Sequence, residues 1–143
     1  MYESYTRQAL PDKDYRELLG TALCVFNANN AFLVGNILRY DDNDEYNWYH
    51  LIDLESGKLK SSIEETISKR FGNDVQVLFS QLVTMRNRII HSFQITDNDK
   101  QMLATKVPEK DGGRQFVITY EYLMGFIKQN EKLCSMLYDV RGF

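Results

Sequence analysis

Apolar residues return every three or four positions through most of this chain, and the places where that rhythm breaks divide it into elements. Tyr15, Leu18, Leu19, Ala22, Phe26, Leu33, Ile37 and Tyr40 keep the period of one long amphipathic helix. Residues 1–11 lack the period and read as an irregular arm ending at Pro11. Asp14 and Glu17 have capping-box spacing at the helix start. Asn27, Asn29 and Asn30 interrupt the helical propensity and are expected on a solvated side, in preference to ligand contact.

The acidic run Asp41-Asp42-Asn43-Asp44-Glu45 comes next. A calcium loop of the EF-hand kind needs oxygen ligands at alternating positions and a glycine at the sixth. Here Tyr46 and Trp48 stand where ligands belong and the glycine is missing, so a solvated connection is expected. Tyr46, Trp48, Tyr49, Leu51 and Ile52 suggest a short aromatic helix ended by Gly57, with His50 as filler. Ser61 with Glu64 and Ser62 with Glu65 then offer two overlapping capping registers. Ile63, Ile67 and Phe71 mark one helical stripe, Gly72 suits its C-cap, and Glu65 with Lys69 suits an exposed ion pair.

Asn73 or Asp74 caps the next predicted helix, whose stripe is Val75, Leu78, Leu82, Met85, Ile89 and Phe93, flanked by Phe79, Val83 and Ile90. After Phe93 the period changes. Gln94 to Asp99 is polar and turn-like. Met102, Leu103, Thr105 and Val107, the turn cluster from Glu109 to Arg114, and Phe116-Val117-Ile118 predict a β-hairpin. Gly112-Gly113 belongs to that turn, since no phosphate-loop pattern surrounds it. Thr119 caps a last helix carrying Leu123, Phe126, Ile127, Leu133, Cys134 and Leu137. The expected fold is mostly α: an antiparallel helical bundle with a β-hairpin inserted before the last helix, and residues 1–143 as a single domain.

Composition narrows the function classes. A net charge of −3 argues against a general nucleic-acid coat, so contact with RNA or DNA requires a local patch. Cys24 and Cys134 form no CxxC pair and no metal spacing, and are expected as buried thiols in a reducing cytoplasm. Met1-Tyr2-Glu3-Ser4 does not open a signal peptide, and no apolar stretch reads as a membrane span, so a cytoplasmic location without a membrane partner is expected.

The chemistry concentrates in Met85-Arg86-Asn87-Arg88-Ile89-Ile90-His91-Ser92-Phe93. At about 3.6 residues per turn, Arg86 falls at the middle to edge of the apolar band, whereas Asn87 and His91 share a polar face. Arg86 and His91 point roughly 140° apart on an ideal helix. A single helix does not let both grip one small group; a second copy packed alongside does. The geometry therefore suggests a two-fold dimer with a shared groove.

Arg86-Asn87-Arg88-Ile89-Ile90-His91 resembles the Arg-Asn-x-x-x-His signature of the HEPN superfamily, the higher eukaryotes and prokaryotes nucleotide-binding domains. Many such proteins are metal-independent endoribonucleases, often toxins or defence effectors, whose Arg-His motifs face each other across a dimer cleft. The resemblance implies Arg86 and His91 as the catalytic pair, Asn87 as the polar residue that orients the site, RNA as substrate, a homodimer, and neither metal nor cofactor. Histidine moves protons near neutral pH, and arginine matches the geometry and charge of a phosphorane. Arg88 is expected to hold the RNA backbone or to be solvated. Family members of another class are non-catalytic nucleotide- or protein-binding modules acting with a separate nucleotidyltransferase or antitoxin partner. That is the alternative reading. In a purely structural role, Arg86, Asn87 and His91 would only stabilise a helix interface.

Overall fold

The first apolar run folds as α1, Lys13–Arg39, in the computed structural model, which describes residues 1–142. Its stripe meets the last helix, α6 (Tyr120–Arg141), along their length, and a third long helix, α5 (Asp74–Ile90), packs against both. Phe26 of α1 stacks between Phe79 of α5 and Phe126 of α6, with centroids 5.9 and 6.0 Å away. Around this triple the core is aliphatic: Leu33, Ile37, Leu82, Leu133 and Leu137 are fully buried. The mostly α architecture with a β insertion before the last helix is as the sequence predicts.

Details of α1 differ from expectation. The helix starts two residues earlier than the capping box, with Asp12 at the N-cap and no side-chain cap bond. Asp14 instead sits in the first turn, where a carboxylate complements the helix dipole. The arm before it is tied down: Leu10 N–H donates to the Met1 carbonyl (2.8 Å), and Arg16 bonds the Pro11 carbonyl and Glu3. By length and composition α1 is also long and apolar enough to cross a membrane, contrary to the sequence expectation. In this fold its stripe from Tyr15 to Ile37 forms part of the bundle core.

Asn27 is exposed, but Asn29 and Asn30 are buried, which corrects the solvated reading. The cause is geometric: α1 is covered on two sides, so its buried face is wider than its apolar stripe. Asn29 Nδ2 donates to the carbonyl and to Oδ1 of Asn130 on α6 (2.8 and 3.0 Å). Ser56 Oγ, in a 3-10 turn at Ser56–Lys58, donates to Asn30 Oδ1 (2.8 Å). Asn130→Leu therefore leaves the buried Asn29 amide with one partner in place of two. Urea melts should show a loss of about 1–3 kcal/mol; an unchanged midpoint would refute this account of the pair.

Between α1 and α5 the chain runs through short elements. The Asp41 carboxylate accepts from Glu45 and Tyr46 N–H, folding the acidic connection on itself. Asn47 Oδ1 accepts from His50 N–H and caps α2, Trp48–Asp53, which ends before Gly57. The single helix expected from Ile63 to Phe71 is broken at Thr66 (φ −120°, ψ −83°) into α3, Lys60–Glu65, and α4, Ile67–Phe71. Neither Ser61 nor Ser62 caps it; Ser62 Oγ donates to the Leu59 carbonyl instead. Glu65 accepts from the Tyr46 hydroxyl, and the i,i+4 ion pair here is Lys60 with Glu64. Phe71 leaves the core and packs edge-on against Tyr40. Gly72 at φ +84° ends α4 as expected, whereas Asn73 sits at the α5 N-cap without a side-chain bond.

The insertion is larger than a hairpin. Strands β1 (Phe93–Asp97), β2 (Lys100–Lys106) and β3 (Gln115–Ile118) form an antiparallel sheet in that order. β2 and β3 are the predicted hairpin, Ala104 opposite Val117. The segment Gln94–Asp99, expected as a turn, is mostly strand. Asn98 and Asp99 alone make the turn, both at positive φ (50° and 64°), the twist a two-residue hairpin requires. Tyr15 pins the sheet to α1, its hydroxyl donating to the Ile118 carbonyl at 2.6 Å. Burial pushes that phenol up from its ordinary pKa. Thr119 caps α6 as predicted, accepting from Tyr122 N–H at 3.0 Å. The cysteines depart from the buried reading: Cys24 is exposed and Cys134 half-buried, and both are free.

Candidate active site

The motif lies where α5 hands over to the sheet. The helix ends at Ile90, and His91 occupies its C-cap, donating its N–H to the Asn87 carbonyl at 2.9 Å. Ser92 Oγ turns back to the Ile89 carbonyl (2.6 Å), after which the chain enters β1. Because the helix stops here, the imidazole of His91 is at the surface. Its sequence neighbours are apolar and exposed: Ile90 keeps 52% and Phe93 42% of their accessible area.

Arg86, five residues earlier, packs inward. Its guanidinium lies over the Phe26 ring with Cζ 4.9 Å from the centroid, so the aromatic core triple carries a cation on its edge. One terminal nitrogen donates to Asn87 Oδ1 at 2.9 Å. Nε is buried and has no acceptor among the described residues. Burial pulls the guanidinium below its ordinary pKa, while the charge of Glu55 acts in the opposite direction. It remains a cation, because an arginine does not deprotonate in the physiological range.

The fold thus joins Arg86 to Asn87 directly, and leaves His91 free of side-chain bonds to either among the described residues. Asn87, expected as the polar residue that orients the site, bonds the guanidinium and not the imidazole. Arg88 is half-buried and bonded. It donates to the Lys106 carbonyl and fastens β2 to α5.

On the Asn87–Arg88 side of α5 a cavity of about 450 Å³ opens toward the sheet. Phe116 of β3, Tyr122 of α6 and Lys110 of the β2–β3 connection line it with those two residues and Met85. Tyr122 Oη donates to the Met85 carbonyl (3.2 Å), fixing its ring, and burial pushes its phenol up despite the lowering effect of Arg88. The sequence shows no link between these positions and the motif. Phe116 reads as a strand former and Tyr122 as an unmarked residue in a helix start; only the β2–β3 register and the packing of α6 bring them to α5. Among the described residues no three His, Cys, Asp or Glu side chains stand together as metal ligands. Compared with protein-family models, curated proteins and solved structures, the chain matches none.

Proposed function

We propose that the chain is a metal-independent endoribonuclease of the HEPN type, acting as a homodimer on RNA, as a toxin or defence effector would. The observation that carries the reading is the end of α5: an exposed imidazole at His91 and a guanidinium at Arg86 already oriented by Asn87, in the Arg-Asn-x-x-x-His order. In RNA the 2′-OH neighbours the phosphodiester. A base takes that proton, O2′ attacks phosphorus, and the P–O5′ bond breaks as an acid protonates the leaving oxygen. The products are a 2′,3′-cyclic phosphate and a 5′-hydroxyl. His91 supplies proton transfer. Arg86 balances the charge that grows on the phosphorane oxygens.

On an ideal helix Arg86 and His91 point roughly 140° apart, and here the one packs on Phe26 while the other is exposed, so the active unit of this reading pairs two chains across the His91 surface. Exposed Ile90 and Phe93 beside the imidazole suit that contact. Ile90→Glu should convert a dimer to a monomer in sedimentation and lower cleavage with it, although the variant leaves His91 intact. A monomeric wild type that cleaves at full rate would remove the shared groove from the mechanism. The primary experiment is incubation of purified protein with total RNA in excess chelator: fragments with cyclic phosphate ends are expected, and intact RNA overturns the reading.

The second reading, a non-catalytic module acting with a nucleotidyltransferase or antitoxin partner, is favoured by the inward posture of Arg86. Stacked on Phe26 and bonded to Asn87, it supports packing as well as chemistry. Tolerated expression of wild-type protein with no RNA cleavage would select it.

A further inference from the structure

We propose that the cavity between α5 and the sheet is a nucleotide subsite, seating a base of single-stranded RNA next to the phosphodiester that is cut. The inference rests on the ribonuclease reading for its substrate and extends it to residues outside the motif. Four observations converge on this class of ligand. First, the space is of ligand size: about 450 Å³, within the range of small-molecule sites. Second, its wall is aromatic: Phe116 and Tyr122 are half-buried, 5.8 Å apart and tilted by 48°, with Met85 and Pro108 extending the apolar surface. A base has a flat face of its own and stacks on such a wall whatever its identity.

Third, polar groups of the right sign stand on the rim. Arg88 and Lys110 are cations, and the guanidinium of Arg88 is held in place by the Lys106 carbonyl. The lysine is exposed, and its four-carbon stem lets the ammonium reach a phosphate. Asp111 is the one carboxylate in the lining; it accepts from the amino edge of a base and would oppose a bare polyanion. A ring wall, two cations and a single carboxylate suit a nucleotide better than an acidic peptide or a free phosphate. Fourth, Asn87 belongs to both places. It lines the cavity and its Oδ1 receives the Arg86 guanidinium, so a nucleotide seated here lies one side chain from the motif.

The test uses the full chain and a 2′-O-methyl octanucleotide of mixed sequence, which offers no 2′-OH for attack. Binding is read by fluorescence anisotropy, and cleavage of the matching RNA is read separately. Phe116→Leu, which keeps an apolar side chain but removes the ring face, should weaken binding about tenfold, the scale of one lost base stack. Lys110→Gln, on an exposed side chain that leaves folding intact, should reduce the salt dependence of binding by about 0.7 in slope, one phosphate contact on a single strand. Both losses without any cleavage by the wild type would keep the subsite and discard the nuclease. Cleavage by the wild type with unchanged KM and unchanged affinity in both variants would do the reverse. The subsite is also overturned if the octanucleotide does not bind, or if inorganic tripolyphosphate competes with it equally at matched charge. Should Phe116→Leu fail to fold, the slope measured for Lys110→Gln decides alone.

Discussion

His91→Ala is expected to lower RNA cleavage by about 10²–10⁴-fold, the usual contribution of a positioned general acid or base. The same change should leave stability within about 0.5 kcal/mol, because the side chain is exposed and makes no bond among the described residues. The two readouts belong together. Thermal melting shows that the variant folds, and single-turnover cleavage shows that the chemistry has gone. Induced expression gives an independent view: growth arrest by the wild type, relieved in the variant. A well-folded His91→Ala protein that cuts RNA at the wild-type rate would leave the assigned proton transfer without an agent.

The largest stability effect is expected at Phe26→Ala. Truncating a buried phenylalanine costs about 3–5 kcal/mol. Here the ring is fully buried between Phe79 and Phe126, and no neighbour can close the gap without dragging a long helix with it. Calorimetry should show a midpoint lower by on the order of ten degrees. The change reaches the candidate site as well, since the ring under the Arg86 guanidinium is gone. Phe26→Leu separates the two contributions: it refills most of the volume but offers no aromatic face. If cleavage by Phe26→Leu equals wild type while its stability falls only slightly, the ring positions Arg86 less than its 4.9 Å stacking suggests.

The long helices were legible because their apolar positions outnumber every competing signal. Phe26, Leu33 and Ile37, or Leu123, Phe126 and Leu137, repeat over enough turns to fix period and face. Short elements were not. The strand Phe93–Asp97 alternates too briefly to register, and its edge position leaves most of its side chains exposed, so polar Gln94 and Thr96 mimic a loop. The Asn98-Asp99 turn carries the chemistry of a tight hairpin but lacks the glycine that usually announces one. The break at Thr66 has no proline or glycine to mark it.

At the candidate site the reading of Arg86 as a residue at the margin of the apolar band agrees with its half-buried place over Phe26. Its bond to Asn87 was out of reach, because helical wheels place adjacent residues well apart and ignore how far a long guanidinium can swing. The burial of Asn29 and Asn30 was missed for a related reason. A wheel sorts residues by polarity, and these two are polar groups answered by polar partners on α6 and in the turn at Ser56.

That answered pair has a mechanical consequence. The Asn29 amide meets Asn130 at one depth only, and an axial slip of a single turn would part it from both its acceptors, while the Asn130 amide keeps its bond to Phe126 within α6. The two longest helices are thereby keyed to each other like a shaft and its collar. α1 and α6 together are the frame on which α5 and the sheet are mounted.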